Sequence, residues 1–464
     1  MSENNIAVKS KIDRIEITND CLSSRAGLSL ISRYIESTCI CHVLTKVFAF
    51  TKKSSKGTGL GSLFHQLICF FFDGTNLNLC GFDELAKDRG YAASIETNNK
   101  KMVSSHTVKR FFKAISKVRV WLFRKVLHEL FIRRLKIEKP EIIKLGIDTM
   151  VMNNDDALKR EGVEPTYKKV KGFQPLQMYW GRYIIDSIFR NGKAHSNYGN
   201  HVSLMVRGIV KLVREKYRKN VPIILMADTG FFDKKLFELC ERLEIGFVIG
   251  GKMYEDIKEH IISMPDKKFS EYKKNGKTWF YSEFMDQRKS WDCSWRTIYT
   301  KPISDDEGQV LLEFARPETI IYTNIGMANS ITKVICEVKK ESGTAISPEA
   351  IITLYHHRGR DELSNRGLKD FGSEQLPFKR FVPNAAFYYM MLISFFLFES
   401  FKYDIDSEII PIQWYATTFR RRCLDIAGKI IRTGRKLIMK ITYSVFELLR
   451  FDLLWEKSIC TFPL

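Results

Sequence analysis

Tyr355, Arg358, Glu362 and Lys369 have the residue types and spacing to handle a phosphodiester. Read as one helix, the segment YHHRGRDELSNRGLK sets Arg358 and Glu362 four apart on a shared face, with Tyr355 three before Arg358. Lys369 lies two turns beyond Glu362 on the same stripe. An acid held between cations and a phenol suits a metal-binding carboxylate beside a phosphate. The plain alternative is a solvated helix laced with i,i+4 ion pairs. Two earlier apolar runs weigh against that alternative. One, Lys144 to Met152, carries Asp148 in its middle; the other, Val221 to Asp228, ends on its acid and runs into Thr229-Gly230. Two strands each delivering an Asp, and a late helix delivering a Glu, make the layout of a two-metal phosphoryl-transfer site. Asp361 is the rival third acid, but it sits about 100° around the helix from Glu362.

The elements that must position these acids follow from the pattern. From Lys144 the chain changes from helical to strand-like. Two strands, Gln174–Trp180 and Tyr183–Arg190, flank a Gly181-Arg182 turn. An amphipathic helix spans Tyr198 to Tyr217, and the strand ending at Asp228 follows. A helix from Asp233 to Leu243, with Asp233 as cap, leads to the strand Gly246–Gly250. This succession predicts a mixed sheet with helices on its faces, in which adjacent strand ends bring Asp148 and Asp228 together. Short aromatic and apolar runs between Lys267 and Gly326, with turn-like Asn275-Gly276 and Asp305-Asp306-Glu307-Gly308, predict a β-rich insertion before the Glu362 helix. That helix is expected from Ala345 to Gly372, and an apolar helix, Pro383 to Phe401, should pack under the sheet. A basic hairpin is expected around Thr433-Gly434-Arg435.

Lys and Arg number 74 against 53 acids, a formal net charge of +21, which favours a polyanionic partner. The excess is concentrated early. Lys100 to Lys136 holds twelve Lys or Arg and one acid, Glu129, over an apolar stripe of 3–4 period. Ser104-Ser105-His106-Thr107 supplies capping residues for a helix whose first turns carry Lys109 and Arg110, placed to lie on DNA in the manner of a helix-turn-helix, the plain alternative being a basic solvated face. The ten cysteines include no CxxC pair, so reduced thiols in a cytosolic protein are expected. The longest apolar run, Ala385 to Phe398, is short for a membrane span, and Met1 to Ile17 has no signal-peptide pattern.

With these residues in hand, the chain resembles the DDE insertion-sequence transposases, in the group whose glutamate lies in a Tyr-(2)-Arg-(3)-Glu-(6)-Lys signature. Tyr355, Arg358, Glu362 and Lys369 match that spacing without a gap, with Asp148 in GIDTM and Asp228 in MADTGFFD as context. Within the group it looks most like the insertion-sequence thirteen-eighty family. The resemblance implies a ribonuclease H-like catalytic core interrupted by a β-rich insertion and preceded by an all-helical DNA-binding region. The boundaries it suggests are 1–140, 141–252, 253–344, 345–405 and a C-terminal 406–464 helix and basic hairpin. It also implies Asp148, Asp228 and Glu362 as catalytic ligands of two Mg²⁺ ions, or Mn²⁺ in their place. Tyr355, Arg358 and Lys369 become contacts to the transposon end. Within the insertion, Trp291 or Trp295 could stack on an unpaired base, although such Trp residues more often belong to a core. The implied partners are terminal inverted repeats and target DNA, held by a homodimer of a bacterial, nucleoid-associated protein with no membrane attachment. Two other readings stay open: a metal-dependent nuclease of the same fold that cuts without joining, and a non-catalytic DNA-binding protein derived from a transposase.

Overall fold

The structure, a computed structural model, describes residues 12, 14–52, 57–157, 159–274, 276–303, 317–339, 346–405 and 408–459, with only the backbone at 157, 274 and 359–361. The expected helix start at Ala345, the Asp305–Gly308 turn, Asn275 and the side chain of Asp361 lie outside the described residues.

The N-terminal part is built largely of helices, among them α1 (Leu60–Asp73), α2 (Ser105–Lys113) and α3 (Leu122–Glu138). Gly74 stops α1 in the left-handed conformation, its N–H returning to the Phe70 carbonyl. Ser104 caps α2 by accepting from the Thr107 amide. Three strands follow: β1 (Ile143–Thr149), β2 (Leu176–Trp180) and β3 (Tyr183–Ile188). Then come α4 (His201–Lys216), β4 (Ile223–Ala227), α5 (Lys234–Arg242) and β5 (Gly246–Gly251). Asp233 caps α5, its side chain accepting from the Lys235 amide.

The strands between Lys267 and Gly326 are β6 (Ser270–Lys274), β7 (Lys277–Asp286), β8 (Trp295–Pro302) and β9 (Thr319–Thr323). They continue the same sheet, because β9 pairs antiparallel with β5. The order across all nine is β6-β7-β8-β9-β5-β4-β1-β2-β3, with β1, β4 and β5 mutually parallel. Helices α6 (Pro348–His357), α7 (Gly359–Phe371) and α8 (Phe381–Asp404) complete the site region.

One apolar core runs from Ala26 to Leu454. A second forms on the opposite sheet face, where Ile224, Met226 and Val248 meet Ile351 and Ile352 of α6. The pleat of β4, an apolar run buried on both faces, explains the division: Leu225 and Ala227 belong to the first core, Ile224 and Met226 to the second. Helix α8 has 24 residues, longer than its apolar run suggests, and is long and apolar enough to cross a membrane. However, 89% of its apolar window is buried inside the protein, where aromatic contacts such as Tyr183–Phe396 and Phe112–Phe387 cover it. The C-terminal hairpin, Gly428–Thr433 with Lys436–Ile441, turns at Gly434 and pairs with Cys21–Ser23 near the other end of the chain.

Candidate acid cluster at the strand ends

Register brings the two aspartates together. Ile147 of β1 is level with Ala227 of β4, so the next rung sets Asp148 beside Asp228. Both continue the face of Ile224 and Met226, the face that α6 covers. Asp228 opens a single 3₁₀ turn, Oδ1 accepting from the Gly230 amide at 2.9 Å. Asp148 is largely buried, and its Oδ1 accepts the Thr149 amide at 2.7 Å.

Electrostatics reports the third member. Burial first, opposed by the Thr149 hydrogen bond, and then the charges of Asp228 and Glu362 push Asp148 up to about 6, while Arg358 pulls it down. Glu362 thus acts on Asp148 from α7, where its own side chain is exposed. Tyr167 meets the same field. Partial burial and the charges of Asp148, Asp228 and Glu362 raise its phenol, although its side chain is 62% exposed. It sits between Glu164–Pro165 and Lys171–Phe173, followed by Lys168 and Lys169, in a loop with no periodicity to mark it in the sequence.

The signature segment departs from the single helix expected of it. Tyr355 lies on α6 and Glu362 on α7, and the two helices meet at Arg358. Arg358 stays right-handed, its N–H returning to the Tyr355 carbonyl three residues back at 3.1 Å, so the chain tightens rather than reverses. Arg358 lies 5.4 Å from the Tyr355 ring centre, and its Nε is buried with no hydrogen-bond partner among the described residues. Such an orphaned donor beside acids is a place for an anion's oxygen. The Tyr355 hydroxyl reaches the Asp228 turn. A Cβ on Gly250 would stand 2.6 Å from it and 2.8 Å from Thr229 Oγ1, so this close approach requires glycine. Lys369 is engaged elsewhere, in an ion pair with Glu374 at 2.8 Å, and the same Glu374 oxygen accepts the Asn153 amide.

Further residues support the site without having stood out in the sequence. Arg190, the last residue of the expected strand Tyr183–Arg190, lies beyond the end of β3, is buried and donates to Gln174, His195 and Ser196 carbonyls. It thereby shapes the loop whose Ser196 Oγ lies 3.3 Å from Thr149 Oγ1 and whose Asn197 reaches the Gly230 carbonyl. Asn365, one turn after Glu362, donates to Asp148 Oδ2 at 3.3 Å.

Trp291 and Trp295 need correction as base-stacking platforms. They are 7% and 3% exposed, packed edge-on against Phe237, with Trp291 also against Tyr322 and Trp295 against Phe247. Aromatic burial claims the faces a base would need. Lys109 is half-buried and Arg110 exposed on α2. Among the described residues, no group of three or more His, Cys, Asp or Glu side chains is drawn tightly enough to hold a metal ion. The nine described cysteines are free thiols.

The fold and site define a mixed α/β protein with acids gathered at the carboxyl ends of its central parallel strands. The chain belongs to the family described as Transposase DDE domain group 1, which matches residues 7–453. Among solved structures, a similar chain is found in the cryo-EM structure of the piggyBac transposase synaptic complex with hairpin DNA. It is 13% identical, with a TM-score of 0.41, covering 95% of this chain and 86% of that one. No curated protein matches.

Proposed function

We propose that this protein is a cut-and-paste DNA transposase of the Tyr-Arg-Glu-Lys signature group, nearest the insertion-sequence thirteen-eighty family. It binds terminal inverted repeats, cleaves the ends and joins 3′-OH groups to target DNA, acting as a DNA-bound homodimer. The observation that carries this reading is the strand register that sets Asp148 beside Asp228, with the Glu362 helix tied to Asp148 through Asn365. The order β3-β2-β1-β4-β5, with β1 parallel to β4, supports a ribonuclease H-like core extended at one edge by the inserted strands.

The donor chemistry fits a hard divalent cation. The oxygens of three carboxylates suit Mg²⁺ or Mn²⁺, and Asp148 resists its own charge first through burial and then through the two other acids that act on it. Asp148, Asp228 and Glu362 would hold two such ions, which when bound activate the attacking oxygen and neutralise the departing one. The protein's own groups do the positioning. Arg358, whose Nε has no partner among the described residues, grips a phosphate oxygen of the transposon end. Tyr355 donates its hydroxyl beside the Asp228 turn, and Lys369 adds positive charge two turns along α7. Lys109 and Arg110 on α2 supply backbone contacts to the flanking duplex.

The test is incubation of wild type and Asp228→Ala with a linear end fragment and Mg²⁺. Wild type should cut and transfer strands, while Asp228→Ala should still bind the end but leave it uncut. Cleavage without joining would indicate a nuclease. Binding without cutting by wild type would indicate a non-catalytic descendant.

A further inference from the structure

We propose that Asn365 is a positioning residue that fixes the plane of the Asp148 carboxylate and keys it to the Glu362 helix. This inference rests on the reading of Asp148 as a cation-binding acid. Asn365 follows Glu362 by three residues, so both project from neighbouring positions on α7. Its Nδ2 donates to Asp148 Oδ2 at 3.3 Å, and its Oδ1 lies 2.6 Å from the Tyr179 hydroxyl. An ionised carboxylate only accepts, so the amide must turn its NH₂ toward Asp148 and its oxygen toward the phenol. Asp148 Oδ1 is already engaged by the Thr149 amide. Each carboxylate oxygen therefore has one fixed donor and keeps a lone pair for a cation.

The amide is itself held from behind. Tyr179 also meets the amide of Gln177, whose other end lies 2.6 Å from the Tyr388 hydroxyl, and that hydroxyl lies 2.9 Å from Ser187 Oγ. Tyr179, Gln177, Tyr388 and Ser187 are all fully buried. Gln177 is level with Asp148 across β1 and β2, and Tyr179 with Gly146. The Tyr179 hydroxyl has one proton to give. Two side-chain carbonyls, of Asn365 and Gln177, face it and share that proton, while Gln177 donates its NH₂ to Tyr388, Tyr388 donates to Ser187, and Ser187 donates on to the Leu176 carbonyl. Four buried polar side chains behind the half-buried Asn365 are a costly way to fill a core that apolar groups would fill as well. What it adds here is a single orientation for one acid, the task outer partners perform for metal ligands elsewhere.

The experiment compares wild type, Asp148→Ala, Asn365→Leu and Tyr179→Phe. Mn²⁺ binding is measured by calorimetry without DNA, and the Mn²⁺ concentration for half-maximal cleavage is measured on a linear end fragment. Asn365→Leu should weaken Mn²⁺ by about 10- to 100-fold in both measurements. Tyr179→Phe should shift it less, in the same direction, and carries the test alone should Asn365→Leu fail to fold. A merely structural role would lower melting temperature and leave the Mn²⁺ dependence unmoved, which would overturn the proposal. Should Asp148→Ala bind Mn²⁺ and cleave like wild type, the underlying site reading falls instead.

Discussion

Asp148 is a group the folded protein would rather keep neutral. In the unfolded chain it titrates near its ordinary 3.8; in the folded one, burial and two facing acids hold it at about 6. Below about pH 4 it is protonated in both states and costs nothing. As pH rises from 4 to 6 the unfolded chain sheds the proton first, so folding loses on the order of 2–3 kcal/mol, fully felt above pH 6. Asp148→Asn should therefore stabilise the cation-free protein at pH 7.5, and the advantage should vanish by pH 4. Urea unfolding in EDTA at both values decides this, and an equal effect at the two would refute it. The same variant should be unable to cleave, so stability and activity pull this residue opposite ways. Gly250 belongs to the same scale. Gly250→Ala drives a methyl into the Tyr355 hydroxyl and Thr229. Cleavage should fall by on the order of tenfold or more with the fold intact, since small displacements at a reacting centre are expensive. Unchanged cleavage would show that Tyr355 need not stand where it does.

At the scale of elements, the buried contact of Arg124 and His128 with Asp186 docks α3 on the edge strand β3. The Arg124 guanidinium meets the Asp186 carboxylate through two hydrogen bonds, at 2.6 and 2.5 Å, and His128 adds a third contact at 3.2 Å. Burial alone would raise Asp186, but His128 and Arg124 more than offset it and hold it at about 2. Its contribution is thus present above about pH 4 and lost as pH falls toward 2. Asp186→Ala strands a buried guanidinium and should cost about 3–5 kcal/mol in urea unfolding at pH 7. A loss below about 1 kcal/mol would mean that α3 is held by its apolar stripe alone. Nothing in the sequence announced this pair, because its members lie on separate elements with no shared spacing. What the sequence did disclose was local. β1 through β5 and the helices between them followed from alternation, period and turn residues, and Asp148 and Asp228 stood out as acids in apolar runs. The break at Arg358 left no trace, since the residues on either side favour a helix equally. The extension of the sheet by β6–β9 was equally hidden, because aromatic alternation marks a strand but not the edge it joins. Asn365 carried only its spacing from Glu362, and Tyr167 carried no pattern at all.

For the whole molecule, the positive excess of 21 charges is unevenly spread, and its distribution can be tested. A groove of about 700 Å³ between α3 and α4 is lined by Lys125, His128, Arg133, Lys136 and Lys216, with Glu129 as the one acid. Lys125, Lys136 and Lys216 are exposed there, and the basic face expected of Lys100 to Lys136 ends in this groove. If the protein holds duplex DNA as proposed, much of the affinity comes from counterions released by such lysines. With about 6–10 phosphates neutralised, affinity should then fall by about 10³- to 10⁵-fold between 50 and 200 mM salt. Replacing Lys125, Lys136 and Lys216 together by Glu should lower affinity for every duplex alike. It should also make the slope of log K against log salt shallower by about three, one for each phosphate that no longer meets a lysine. Fluorescence anisotropy over a salt series, with an end fragment and an unrelated duplex of equal length, reads both quantities. A triple variant with unchanged slope would place the DNA on another face of the molecule. A loss confined to the end fragment would mean that these lysines recognise sequence rather than charge.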